Sequence, residues 1–276
     1  MTSQPLISVC IPTYNQTIHL RKLLNTTFNQ KEVSFEVIIS DDSSTNDVAE
    51  LVNEFKKNGF NINYFKNTPA LGAPKNWNYG ISLAKGEYIK IMHHDQWFED
   101  DFALKKLLDK IIHDKKTFVF SACKNEFRGK ISEFRMNSIQ LENIKKEPEN
   151  LILANLIGGP TAILYHRDAN IKYDEKIIWL VDVEFYLQLF RKGFKVEYID
   201  EILYTSMTDA DSLTNNNLID TEKQLYEYSY LFNKYVKNHS VLKRFKYITG
   251  IYKILILQLN KRSYLTQLAR LIKRII

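Results

Sequence analysis

Residues 6–12, LISVCIP, form an unbroken apolar run closed by proline, the pattern of a strand buried on both faces. Over residues 18–29 the apolar positions shift to helical spacing, with Leu20, Leu23, Leu24 and Phe28 on one face. FEVIIS (35–40) predicts a second buried strand, and Ser44 or Thr45 stands where a cap is needed for a helix running to about Lys57. INYFKN (62–67) predicts a third strand. A helix then runs from Pro74 to about Lys85, stopped by Gly86, and EYIKIM (87–92) predicts a fourth strand. This alternation predicts an α/β domain with a parallel sheet and helices on both faces.

Beyond it the pattern is less regular. Residues 101–113 read as a helix, TFVFSA (117–122) as a strand, and GGPTAILYHR (158–167) as a glycine turn into a strand. VDVEFYLQLFRKG (181–193) predicts an amphipathic helix closed by Gly193, followed by a strand at KVEYI (195–199). From about residue 220 the spacing is helical, with basic and apolar residues interleaved.

Composition narrows the class. With 276 residues, 45% of them hydrophobic, the chain can bury one large core, with or without an appendage. Glycine and proline are scarce, no internal repeat is visible, and no apolar run reaches the ~18–20 residues of a membrane-spanning helix. MTSQPLISV lacks the basic flank and long apolar stretch of a signal peptide. Cys10 and Cys123 give neither a disulfide framework nor a zinc spacing, which suits two buried thiols in a reducing cytoplasm. The net charge of +6 is unevenly spread: no acidic residue follows Glu227, whereas eleven basic ones do. The preceding part is mildly acidic, with 27 basic residues against 32 acidic. Such asymmetry predicts an anionic surface as partner for the tail.

Candidate chemistry gathers at the strand ends, where parallel α/β sheets bind ligands. The first strand runs into Pro12-Thr13-Tyr14-Asn15 and the second into Asp41-Asp42-Ser43-Ser44. The third leads to Asn67 and Leu71-Gly72-Ala73, and the fourth to His93-His94-Asp95. Tyr14 offers a flat face for a base, and Asp42 an acceptor for an imide N–H. An Asp-Asp pair alone is commonly a turn device; four polar termini on one rim point to a ligand. Strand alternation would place His93 and Asp95 on one side and His94 on the other. Asp95 can hold a divalent cation that bridges a diphosphate, and the chain has no glycine-rich phosphate cradle to do that work instead. A zinc pair at His93-His94 fits poorly, since no cysteine cluster assists.

These segments resemble family 2 glycosyltransferases, inverting enzymes of the GT-A fold that use nucleotide-sugars. The resemblance runs from about Leu6 to Thr214 through ISVCIPTYNQ, EVIISDDSS, NTPALGAPKNWNYGISLAKGEYIKIMHHDQW and VDVEFYLQLFRKGFKVEYIDEILY. It implies a Rossmann-like mixed sheet and a UDP-sugar donor. It also implies a nucleotide-sugar site of Pro12, Thr13, Tyr14, Asn15, Asp41, Asp42, Asn76, His93 and His94, with Tyr14 and Asp42 on the nucleoside. A Mn²⁺ or Mg²⁺ ion would sit on Asp95 with His93, where the family normally has a DxD triplet and a His-first variant also occurs with NWN upstream, as at Asn76-Trp77-Asn78. The family's general base is the aspartate of an "ED" dipeptide opening a helix. The matching pair is Val181-Asp182, which makes Asp182 the candidate, with Trp179 and Phe185 as a nonpolar wall. The family's histidine before a serine-rich turn is absent from Ser206–Ser212, where Asp209 or Asp211 is a substitute ligand or part of a solvated loop.

The resemblance divides the chain into a catalytic domain over 1–219, with a nucleotide half (1–97) and an acceptor half (98–219), and a basic amphipathic helical region over 220–276. In the tail Ile251, Leu255, Leu259, Leu265, Leu268, Leu271, Ile272 and Ile275 interleave with basic residues. It would lie on an anionic membrane surface, or pack on the body or on a second copy in a homodimer. Relatives acting on lipid-linked acceptors at the inner face of the plasma membrane imply a surface-glycan or lipid-linked acceptor and a peripheral location. No nucleic-acid-binding motif accompanies the charge, so nucleic acid is not an expected partner. The rival from another class is a non-catalytic nucleotide- or glycan-binding module or membrane scaffold. A nucleotidyltransferase would need a glycine-rich basic loop after the first strand, and PTYNQTIHL has none.

Overall fold

In the computed structural model, residues 5–208 and 221–258 are described. Four parallel strands form one half of the sheet: β1 (Ile7–Thr13), β2 (Phe35–Asp41), β3 (Ile62–Lys66) and β4 (Tyr88–Ile91). Between them run α1 (Ile18–Phe28), α2 (Asp47–Lys57) and α3 (Lys75–Ser82). The second half contains β5 (Gln96–Phe98), α4 (Ala103–Ile111), β6 (Thr117–Phe127), β7 (Lys130–Phe134), α5 (Ser138–Lys146), β8 (Ile163–His166), α6 (Val181–Arg191) and β9 (Lys195–Thr208). The sheet order is β3-β2-β1-β4-β8-β6-β9-β5, with β7 paired to β6. Since β8 runs antiparallel to both β4 and β6, the sheet is mixed.

Every residue of β1 is buried, as its unbroken apolar text demands. One face of the sheet carries α1, α2 and α4, whose Leu20, Leu24, Leu51, Phe55, Leu104 and Leu108 share a core with Val9, Ile11 and Ile39. The opposite face packs Cys10, Ile38, Ile89 and Phe120 under α6. The same core takes in the first part of the basic region. It folds as α7 (Thr221–Leu231), a turn of π-helix (Phe232–Val236) and α8 (Val241–Gln258). Leu225, Tyr228, Leu231, Phe232, Val236, Tyr247, Ile251 and Leu255 are buried there with Val181, Phe185 and Leu189 of α6. At ~2 kcal/mol per large apolar side chain buried, this is a strong attachment to the body. Ile251 and Leu255 thus face the core and not a lipid surface. Leu259, Leu265, Leu268, Leu271, Ile272 and Ile275, like Asp209 and Asp211, lie outside the described residues.

Several local expectations are corrected. Neither Ser44 nor Thr45 caps α2, which begins at Asp47 with Asn46 at the N-cap position; the Ser44 amide donates to Asn15 Oδ1 instead (2.9 Å). Helix α3 ends at Ser82, short of Gly86. Glycine at 86 answers to packing: a Cβ there would lie 2.6 Å from the Ser8 amide nitrogen on β1. Residues 93–95 are not strand either. The Gln96 amide donates to His93 O (3.1 Å), closing a turn between β4 and β5, so strand alternation does not set these side chains.

Candidate active site

The carboxyl ends of β1 and β2 meet at Asp41. Its Oδ1 accepts from Thr13 Oγ1 (3.0 Å), from the Ser43 amide (2.8 Å) and from Ser43 Oγ; its Oδ2 accepts from Tyr64 OH (2.7 Å) and Lys66 Nζ (3.3 Å). Burial alone would raise its pKa, but the hydrogen bonds from Ser43, Tyr64 and Thr13 hold the carboxyl below the usual carboxylate range. Asp41 is fully buried, so it ties the rim together from beneath, with Pro12 and Thr13 buried beside it. Asp42 turns the other way. Its Oδ1 accepts from Asn67 Nδ2 (2.8 Å) and the Leu71 amide (3.0 Å), and its Oδ2 from the Gly72 amide (2.7 Å). Each carboxylate oxygen has two lone pairs, so Oδ2 keeps capacity for one more donor. Asn15 adopts φ 52°, a conformation asparagine tolerates, and its amide donates to Ser43 Oγ (2.8 Å). Tyr14, just before it, is 58% exposed and presents its ring at the rim.

Helix α3 joins this rim to the second half of the molecule through three consecutive residues. Asn76 Oδ1 accepts from Ser40 Oγ and from Asn67 Nδ2 (3.0 Å), and its Nδ2 lies 3.5 Å from Thr13 O. It thereby binds the ends of the first three strands and is itself buried. The Trp77 ring sits 4.6 Å from the His93 ring and 5.1 Å, edge-on, from Tyr173. Asn78 Nδ2 donates to Tyr173 O (2.9 Å) while its Oδ1 accepts from the Tyr173 amide (2.8 Å).

The His93-His94-Asp95 turn is pinned from both sides. The His93 amide is 3.2 Å from both Gln96 Oε1 and Thr161 Oγ1, and Asp95 O accepts from the Met207 amide of β9 (3.0 Å). Burial, with the neighbouring His94 charge, pushes His93 down to about 3, so its ring is neutral. His93 Nε2 is buried with no hydrogen-bond partner, while His94 and Asp95 are half-buried. Lys90, buried on β4, donates to Thr161 O and lies 5.6 Å from the Tyr204 ring; burial lowers its pKa to about 7.

Asp182 occupies the second position of α6. Its Oδ1 is buried without a hydrogen-bond partner, and burial pushes the carboxyl up to about 8. Its electrostatic neighbours are the buried tyrosines Tyr173, Tyr186 and Tyr204. Phe185 stacks on Tyr173 (4.2 Å), and Trp179 packs edge-on against Tyr228 (5.4 Å). Thus Trp77 touches His93 and Tyr173, and Tyr173 feels Asp182, so the polar strand ends and α6 border one region.

The family model for glycosyl transferase family 2 matches residues 8–174, more than half of the sequence. The chain belongs to that family. It is an enzyme, a glycosyltransferase of the GT-A fold. It is 27% identical over 237 residues to the chondroitin synthase of Pasteurella multocida, a match covering 80% of this chain and 22% of that protein. Among solved structures it resembles residues 1–349 of Staphylococcus aureus TarS in complex with UDP-GlcNAc, with a TM-score of 0.71 and 17% identity over 98% of this chain and 81% of that one. It also resembles the mannosyltransferase PcManGT of Pyrobaculum calidifontis in complex with GDP-Man and Mn²⁺, with a TM-score of 0.61 and 14% identity over 99% and 86% of the two chains.

Within this glycosyltransferase no group of three or more His, Cys, Asp or Glu side chains forms a ready-made metal cage among the described residues. What is present fits a different arrangement. Mg²⁺-type sites use one or two protein ligands and complete their shell with substrate phosphates. Asp95 carries a hard carboxylate, and His93 a neutral ring whose buried Nε2 has no hydrogen-bond partner. Trp77, Asn78, Thr161, Lys90 and Tyr173 escape sequence reasoning; the NWN triplet is the one local signal for the first two. Glu227 escapes it as well, because its partners lie 47 to 49 residues away.

Proposed function

We propose that this glycosyltransferase moves a sugar, with inversion, from a nucleotide-diphosphate donor of the UDP class to a hydroxyl of a surface glycan or lipid-linked oligosaccharide. The observation that carries the reading is the continuity of the rim from Asp42 through the Asn76-Trp77-Asn78 clamp to Asp182, whose Oδ1 is buried without a hydrogen-bond partner. Tyr14 stacks on the base, and Asp42 Oδ2 accepts its imide N–H. Asp41, Thr13, Asn15 and Asn76 hold those two in place, and Pro12 ends the strand that presents them. His93 and His94 line the diphosphate. A Mg²⁺ or Mn²⁺ ion held by Asp95 and His93 would neutralise charge on the departing diphosphate; the Mn²⁺ bound with GDP-Man in the PcManGT complex supports that choice.

Asp182 is the general base. As the acceptor oxygen bonds to the anomeric carbon, the bond from that carbon to the diphosphate oxygen breaks and its electrons leave with the nucleotide. The acceptor proton passes to Asp182. With the carboxyl at about 8, the ionised fraction rises through neutral pH, so turnover should reach half its maximum near pH 8 and level off about one unit above.

The test is a nucleotide-sugar screen that reads nucleotide release with and without a glycan acceptor pool. UDP with Mn²⁺ at 100 times its Kd should stabilise the fold by about 2.7 kcal/mol, read as a rise in Tm. Asp182→Asn should cut kcat by ~10²–10⁴ while leaving that shift intact. A Tm unmoved by every nucleoside diphosphate would remove the donor assignment, and an undiminished rate in Asp182→Asn would remove the base.

A further inference from the structure

We propose that Glu227, on α7, is a positioning residue for Asp182, setting the first turn of α6 and so the place of the base; the inference rests on the reading of Asp182 as that base. Helix α6 has no cap of its own. Its N-cap residue is Leu180, preceded by Ile178 and Trp179, and none of these side chains can accept a hydrogen bond. The missing acceptor comes from α7. Glu227 Oε1 accepts from the Ile178 amide (2.9 Å), Oε2 accepts from the Leu180 amide (2.7 Å), and the Trp179 amide lies 3.2 and 3.0 Å from the two oxygens. Three successive N–H groups converging on one anion form a nest, placed where the dipole of α6 also favours negative charge. Glu227 is buried, and no cation pairs with it among the described residues, so its hydrogen-bond partners are these backbone amides. Two residues past this nest, the chain presents Asp182.

A second grip lies on the far side of the base. Lys234, in the π-helical turn, bridges Asp174 Oδ2 (2.9 Å) and Glu184 Oε1 (2.7 Å), and Tyr235 OH donates to Glu184 Oε1 (2.6 Å). Burial works against the Lys234 charge, but Glu184 and Asp174 outweigh it and raise its pKa. Asp182 is therefore bracketed at 178–180 and at 184 by one stretch of the C-terminal region, while its own carboxyl Oδ1 is left without a hydrogen-bond partner. Removing the nest frees that turn without touching the nucleotide rim on β1–β4.

The test uses the full chain and the nucleotide-sugar that supports turnover. Glu227→Gln keeps the size and loses the charge and one acceptor; kcat should fall at least about 10-fold with the donor KM unchanged, since misplacing a reacting group by ~1 Å costs up to ~10²-fold. The double variant Asp182→Asn/Glu227→Gln should be as slow as Asp182→Asn alone, to within about 2-fold, because residues acting through one group are not additive. Multiplied losses, or a kcat for Glu227→Gln within about 2-fold of wild type, would overturn the inference. An undiminished rate in Asp182→Asn strikes instead at the base reading, whatever Glu227 does. Where Glu227→Gln does not fold, Glu227→Asp keeps the charge on a shorter arm; a kcat loss of about 3-fold or more at constant donor KM supports the role, and no loss refutes it.

Discussion

Asp41 and Asp182 are both carboxylates at the ends of buried elements, and their surroundings drive them in opposite directions. Five donors surround Asp41 and keep it ionised. Asp182 Oδ1 has none, and burial lifts the group to about 8. The consequence for stability has a definite sign. Between pH ~4, where the unfolded carboxyl loses its proton, and pH ~8, the folded chain retains a proton that the unfolded chain has released. Stability contributed by Asp182 is therefore full below ~4 and drains away as pH rises to about 8. At ~1.4 kcal/mol per unit, and discounted for the partial exposure of the residue, wild type should lose about 2 kcal/mol relative to Asp182→Asn between pH 5 and pH 8. Urea denaturation of both proteins across that range reads this without any substrate; stability curves that stay parallel would rule out the buried-carboxyl account. A variant at once inactive and more stable at pH 8 would be the mark of a group retained for chemistry.

Among the elements, the close approach of β4 to β1 depends on Gly86, whose amide donates to Ser8 Oγ (2.8 Å). A methyl group there would meet the Ser8 nitrogen at 2.6 Å and the Ile7 carbonyl carbon at 2.7 Å, both main-chain atoms that cannot rotate aside. Gly86→Ala should therefore cost ~2–3 kcal/mol by chemical denaturation, although its backbone conformation suits alanine; a loss below about 0.5 kcal/mol would show that the strands can part without penalty. The same elements show what a sequence discloses. β1 and β2 were legible because burial on both faces marks almost every residue. α5 carried a readable signal in Asn137-Ser138-Ile139-Gln140, whose capping box is formed. β7 follows Arg128-Gly129, both at positive φ, a hairpin sign set in an otherwise exposed and polar strand. β5 has three residues and exists because β9 offers a partner, so no local pattern announces it. The turn at His93–Gln96 and the nest at Glu227 are also tertiary products: the residues were visible, their geometry was not. Of the expected rim, Tyr14 lies exposed, whereas Asp41, Asp42 and Asn76 are buried in the hydrogen-bond network behind it.

For the whole molecule, charge is the organising quantity. Part of the basic excess after Glu227 is spent inside the fold: Lys234 on Asp174 and Glu184, Lys243 and Lys246 on Glu147, and Lys243 with His239 on Glu149. Lys237, Arg244 and Lys253 pair with no carboxylate among the described residues, and Val241, Leu242 and Phe245 stand 70, 83 and 65% exposed beside them. Lys261, Arg262, Arg270, Lys273 and Arg274 follow in sequence. No described helix is long and apolar enough to cross a membrane. At ~1 kcal/mol per basic residue near anionic lipid, three to eight such residues suffice for reversible attachment that salt weakens. The full chain should co-sediment with vesicles containing acidic phospholipid at 0.1 M salt, detach at about 0.5 M, and ignore neutral vesicles. A chain ending at 258 should bind those vesicles more weakly, having lost five of the charges. A chain ending at 219 should fail to fold, because Leu225, Leu231, Phe232 and Val236 belong to the core around α6. Equal binding to neutral and acidic vesicles, or attachment indifferent to salt, would rule out the electrostatic account, and a dimer in sedimentation velocity with no vesicle binding would assign the patch to a second copy of the chain.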